Sequence, residues 1–121
     1  MQIAIAEPPK VYVETSVWGM ILPGQPRALR QPTKRFLEQC RARLVAPFIS
    51  TLVMEEISRA EDPEARQMLA EIARVNSVVL MATGEADKLA DDYVRMGVLP
   101  AKKRDDGRHV AIATTKVWIS L

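Results

Sequence analysis

At 121 residues, 48% hydrophobic and 26% charged, the chain has the composition of one ordinary globular domain, which excludes an intrinsically disordered protein. No apolar run approaches the ~20 residues of a membrane helix, and the opening MQIAIAEPPK lacks the basic flank of a secretory signal, so a cytoplasmic protein without a membrane segment is expected. The single cysteine, Cys40, cannot form an internal disulfide and fits a reducing compartment.

The net charge is only +2, from 17 basic and 15 acidic residues, but the signs are segregated. Six basic residues and one acid lie between Arg27 and Arg43, and ten acids face four basic residues between Glu55 and Asp92. Lys102, Lys103, Arg104 and Arg108 then surround Asp105 and Asp106. Local positive charge is what a phosphate backbone needs, so nucleic acid is compatible with this pattern, as is a solvated helix face.

Strands and helices alternate along the chain. Val11-Tyr12-Val13 is short, β-branched and aromatic, and predicts a buried strand. Gly19, Pro23, Gly24, Pro26 and Pro32 predict a loop. A helix is expected from Thr33 to about Arg43, with Phe36, Leu37, Cys40 and Leu44 on one face and Cys40 a core thiol rather than a nucleophile. A short strand over Leu44–Ala46, a turn at Pro47 and an N-cap at Ser50-Thr51 follow.

Asp62-Pro63 reads as an N-cap and first helical residue, and Ala65, Met68, Leu69 and Ile72 keep helical spacing behind it. SVVLM, from Ser77 to Met81, predicts a fully buried strand. Thr83-Gly84 opens a helix that Gly97 ends, with Ala86, Leu89, Ala90, Tyr93 and Val94 on its inner face. Asp106 to Thr115 is a last helix, apolar on most sides, and Lys116 to Leu121 a final strand. The alternation implies an α/β fold of three layers, α/β/α, around a central, mainly parallel sheet.

Three acids from distant segments stand where such a fold gathers its ligands, outside the carboxyl ends of the strands. Glu14 closes the first strand, and Thr15 and Ser16 beside it offer hydroxyls to cap a turn or hold a metal-bound water; a solvated loop glutamate is the alternative. On a helical wheel Glu56 falls about 40° from Leu52, inside the arc of Val53, Ile57 and Ala60, whereas Glu55 and Arg59 fall outside it. A carboxylate aimed at a core is costly without a cation or donors, so Glu56 is the candidate of the pair, unless its stem packs on the core while its head reaches water. Asp105 or Asp106 caps the last helix, which leaves the other for chemistry. Asp106 shares a face with His109, the only histidine, which is either a structural residue or a support for a ligand. An all-oxygen set points to hard divalent cations, Mg²⁺ or Mn²⁺, and no His/Cys set supports zinc.

VYVETSV near the start, PFISTLVMEEI in the middle and YVRMGVLP…DDGRHVAIAT near the end, in that order, resemble a PIN domain, the ribonuclease fold of many toxin–antitoxin toxins. The resemblance implies one PIN-like domain over 1–121 whose site acids are Glu14, Glu56 and Asp106, supported by Thr15, Ser16 and His109, holding Mg²⁺ or Mn²⁺ for hydrolysis of RNA. It also implies Lys102, Lys103 and Arg108 along the RNA backbone, and a possible antitoxin protein as partner. The chain departs from the family in carrying glutamate as its first acid, and Gly107 and Arg108 after Asp106. The family's polar fourth residue and its further C-terminal helix and strand have no counterpart before Leu121, so an open sheet edge and a homodimer are expected. The competing expectation is a catalytically impaired PIN-like module that binds a partner or itself. A receiver-like phosphoaspartyl domain is a third, disfavoured because Glu14 stands where the nucleophilic aspartate would.

Overall fold

The computed structural model describes residues 7–81, 84–97, 100–116 and 119–120, and arranges them as strands and helices in alternation. In chain order these are β1 (Lys10–Tyr12), α1 (Thr15–Gly19), α2 (Arg27–Arg41), β2 (Ala46–Ser50), α3 (Thr51–Ser58), α4 (Asp62–Arg74), β3 (Val78–Leu80), α5 (Gly84–Arg95), a 3₁₀ turn (Ala101–Lys103), α6 (Arg104–Lys116) and β4 (Ile119–Ser120). The strands pair in parallel in the order β3-β2-β1-β4, which bears out the expected α/β class.

Parallel strands need crossovers, and crossovers are right-handed. The two steps from β1 to β2 to β3 run the same way across the sheet, which lays α1 to α4 on one face. The return from β3 to β4 passes β1 and lays α5 and α6 on the other. The packing agrees: α1, α3 and α4 touch one another, and α5 lies along α6. Central β1 is covered on both faces, with Val11, Tyr12 and Val13 all buried, as a doubly covered parallel strand requires. Trp18, Ile49, Leu52, Ile57 and Ile112 fill the core around it.

The prolines depart most from expectation. Pro47 is no turn; it is the second residue of β2. Ala46 N–H donates to the Pro9 carbonyl on the β1 side and Phe48 C=O accepts from Val13 N–H there too. Pro47 therefore faces the β3 side, where pairing begins only at Phe48↔Val78, and its missing N–H interrupts no ladder. Pro32 sits inside α2, which starts at Arg27 rather than Thr33. It removes one i→i−4 bond, from the carbonyl of Ala28, and both residues are exposed, so water takes the place of the lost donor. A short helix that was not expected, α1, precedes the segment read as loop. Ser50 does cap α3, accepting from Val53 N–H at 3.4 Å, whereas Glu61 rather than Asp62 is the N-cap of α4.

β3 is the second correction. Predicted to be fully buried, it is the sheet's edge, with Val78 47% and Val79 49% exposed and Met81 70% exposed just after it. A continuous apolar run satisfies either position, and periodicity alone cannot separate them. Of the expected last strand, Ile119–Ser120 forms β4; residues 117, 118 and 121 lie outside the described ones, as does Thr83, expected to open α5.

Two ion pairs tie α5 to α6. Arg104 Nε donates to Asp91 Oδ1 at 2.6 Å, and one turn on Arg108 Nε donates to Asp87 Oδ1 at 2.8 Å. The Arg104 guanidinium holds the Asp91 carboxyl below its ordinary range. Cys40 is buried as expected, and burial pushes its thiol up to about 11.

Two outcomes follow. Ile49→Ala, in the buried centre of β2, is expected to cost about 2–5 kcal/mol in urea unfolding, and Val79→Thr, on the edge strand, about 0.5 kcal/mol or less. A Val79→Thr penalty as large as that of Ile49→Ala would return β3 to the interior. Because Cys40 has a folded pKa above its ordinary 9.0, the stability from keeping it neutral is complete below pH 9.0 and lost as pH rises through about 11. The urea midpoint of Cys40→Ala is thus expected to fall less over that range than that of the unaltered chain.

Candidate functional site

The strand order reverses at β1, between β2 on one side and β4 on the other. A crevice at the carboxyl end of such a switch point is the usual binding position of open α/β sheets. Glu14 lies two residues past the end of β1, after Val13, and is the N-cap residue of α1. Trp18, fully buried, fixes this corner by donating from its indole Nε1 to the Val13 carbonyl at 3.3 Å. Ser16 Oγ, from the same turn, donates to Glu14 Oε1 at 2.6 Å.

Glu56 arrives on α3, which starts at the carboxyl end of β2. Its side chain is 23% exposed, inside the apolar arc as expected, whereas Glu55 is 54% exposed and pairs with Arg59 at 3.1 Å. One oxygen of Glu56 collects two donors: Thr15 Oγ1 at 3.2 Å and the Nε2 side of His109, a very short contact. His109, 3% exposed, is fixed from behind, since its Nδ1 lies 2.6 Å from the Tyr12 hydroxyl. That hydroxyl is also 2.8 Å from Ser50 Oγ. Desolvation pushes Tyr12 up to about 12, with the Glu56 and Glu14 charges adding to it, so Tyr12 is a neutral phenol at ordinary pH.

Thr15, Glu56 and His109 therefore meet, with Glu14 and Ser16 on the adjoining turn. Asp106 does not join them. It is the third residue of α6 rather than its opening one, its side chain is 63% exposed, and Oδ2 lies 3.8 Å from Lys103 Nζ. The side chain of Asp105, the other candidate, lies outside the described residues. Among the described residues no three of His, Cys, Asp and Glu converge closely enough to hold a metal ion. Lys102 is exposed, whereas Arg108 is 16% exposed and held by Asp87, so it contributes fixed positive charge rather than a mobile phosphate clamp.

The donors that are assembled fit a hard cation in kind. Glu14 and Glu56 would offer it carboxylate oxygens, and each has one oxygen held by a protein donor while the other accepts no hydrogen bond among the described residues. Tyr12 and Ser50 escaped the sequence reading because Tyr12 counted as an apolar strand residue and Ser50 only as a cap. The available signal was that a buried tyrosine hydroxyl requires a partner. The clefts along α2, one of about 380 Å³ against Val17, Pro32 and Phe36 and one of about 390 Å³ against Ile21, Leu37 and Arg74, are lined by none of these acids.

No protein-family model matches the chain, and no curated protein does either. Among solved structures, it is similar to Mycobacterium tuberculosis VapC20, a Sarcin-Ricin loop cleaving toxin, at 18% sequence identity and a TM-score of 0.64, over 91% of this chain and 86% of that one. That likeness shows a shared fold, so the α/β architecture built around β1 is PIN-like.

Proposed function

We propose that this chain is a metal-dependent ribonuclease of PIN type, hydrolysing RNA phosphodiester bonds with Mg²⁺ or Mn²⁺. The observation that carries the reading is the position of Glu56, a partly buried carboxylate held at the strand-order reversal, one of whose oxygens accepts no hydrogen bond among the described residues, with Glu14 on the turn whose Thr15 reaches it. Glu14, Glu56 and Asp106 would hold the ion. Asp106 lies one helical turn before His109, and releasing it from an exposed lysine costs at most about 1 kcal/mol. The bound ion's chemistry is Lewis-acid polarisation of the phosphate and a lowered pKa for its water. Ser16 and Thr15 orient the two glutamates, and Lys102, Lys103 and the positive field of Arg108 favour an RNA backbone. The Sarcin-Ricin loop that VapC20 cleaves supports RNA as the class, and its description as a toxin supports an antitoxin partner; a cytoplasmic location belongs to the same proposal.

Single-stranded RNA is expected to be cut with Mn²⁺ or Mg²⁺ and spared with EDTA. Glu56→Gln and Asp106→Asn, purified in parallel and folded by circular dichroism, should each lose at least about 100-fold in rate. Cutting that survives EDTA, or is equal in the variants, would sink the reading.

The exposed β3 edge favours a second reading, a self-associating module, which does not depend on catalysis. Under it the protein sediments as a dimer at high concentration and Val79→Lys as a monomer. A monomer for the unaltered chain would remove it.

A further inference from the structure

The polar groups behind Glu56 form one continuous line from the core to the site. Ser50 Oγ accepts from Val53 N–H, the Tyr12 hydroxyl lies between Ser50 Oγ and His109 Nδ1, and His109 Nε2 meets Glu56 Oε1. Ser50, Tyr12 and His109 are nearly or fully out of water, so their donors and acceptors have to match among themselves. The direction of the line follows from that matching. Glu56 offers Nε2 a carboxylate oxygen, an acceptor, so Nε2 carries the proton there and Nδ1 is left to accept. The Tyr12 hydroxyl then donates to Nδ1, and its oxygen accepts from Ser50 Oγ. Every step runs the same way and ends on Glu56.

We propose that Ser50, Tyr12 and His109 are a positioning relay that fixes His109 as its Nε2–H tautomer and thereby pins Oε1 of Glu56, leaving the other oxygen to the ligand. As far as that ligand is a metal ion, the proposal rests on the ribonuclease reading; the relay itself does not. None of the three residues touches substrate; they act through Glu56. Tyr12 connects β1 to α6, Ser50 connects β2, and His109 closes the line on α3, so the orientation of one carboxylate is set by four elements of the fold. Groups supporting a metal ligand in this way typically change affinity or activity 10–100-fold when removed.

The chain has one histidine, so its imidazole ¹⁵N resonances belong to one residue. Long-range ¹H–¹⁵N spectra of the metal-free protein at neutral pH should show Nε2 protonated and Nδ1 as acceptor. In Tyr12→Phe, which keeps the ring and removes the hydroxyl, Nδ1 loses its donor and its ¹⁵N resonance moves toward that of an acceptor without a hydrogen bond. A proton on Nδ1 or an imidazolium in the unaltered protein, or an unchanged Nδ1 resonance in Tyr12→Phe, would overturn the relay. Mn²⁺ titration then reads the consequence: about tenfold weaker binding in Tyr12→Phe supports it, and equal binding overturns it. Should Tyr12→Phe not fold, His109→Gln, whose amide nitrogen reaches the place of Nε2, is expected to bind Mn²⁺ more tightly than His109→Leu; equal weakening of the two would overturn the donor role. An unaltered protein with the expected tautomer but no Mn²⁺ binding would overturn the metal-dependent reading and leave the relay standing.

Discussion

A tyrosine hydroxyl with no access to water is the constraint around which this domain is organised. Tyr12 lies in the central strand, fully buried, and leaving its O–H unpaired there would cost about 1–3 kcal/mol. Two partners meet it, Ser50 at the end of β2 and His109 on α6, and each brings a further obligation. Ser50 is already the cap of α3, so strand pairing and helix initiation converge on one oxygen. His109 carries a second nitrogen that needs its own partner, and that partner is Glu56. The polar core and the candidate site are therefore one structure: the groups that satisfy the interior also aim the carboxylate.

The sheet order makes this possible. Only at a reversal does one strand have crossover helices arriving from both faces at its carboxyl end. β1 occupies that place, with α1 and α3 approaching from one side and α6 from the other. The ion pairs of Asp87 and Asp91 with Arg108 and Arg104 matter here as alignment; the exposed one, Arg104 with Asp91, contributes only about 0–1 kcal/mol. Two contacts one turn apart on each helix resist sliding and rotation of α6 against α5. His109 follows Arg108 directly, so the register of that helix pair sets where the imidazole stands.

What the sequence revealed, and what it hid, divides along a physical line. Features set by local periodicity were legible: the apolar arc that admits Glu56 and rejects Glu55, the buried thiol of Cys40, the Ser50 cap and the alternation of strand and helix. Features set by neighbours distant in the chain were not. Pro47 reads as a turn unless one knows that β3 begins too late to need its N–H. SVVLM reads as buried unless one knows that it ends the sheet. Within the site, Glu14, Glu56, Thr15, Ser16 and His109 were singled out as candidates, but the link between His109 and Glu56 spans 53 positions and runs through Tyr12, which pattern reading had counted as an apolar core residue. Spacing places Asp106 on the face of His109, yet it does not say whether that carboxylate turns to the site or to Lys103, on the preceding turn, 3.8 Å away.

The two glutamates show why a site of this kind benefits from a polar core behind it. A free carboxylate has two equivalent oxygens and rotates between them, so a ligand binding one of them must first stop that motion. At Glu14 a serine two residues on engages one oxygen from the same turn, an exposed contact that moves with the turn. At Glu56 the oxygen is engaged by donors from two other elements, one of them backed by a buried chain that ends on a backbone amide. The first arrangement is local and adaptable, while the second is anchored in the fold. A site that must fix one ligand while letting another adjust to what it binds has use for both, and the division places the rigid half on Glu56.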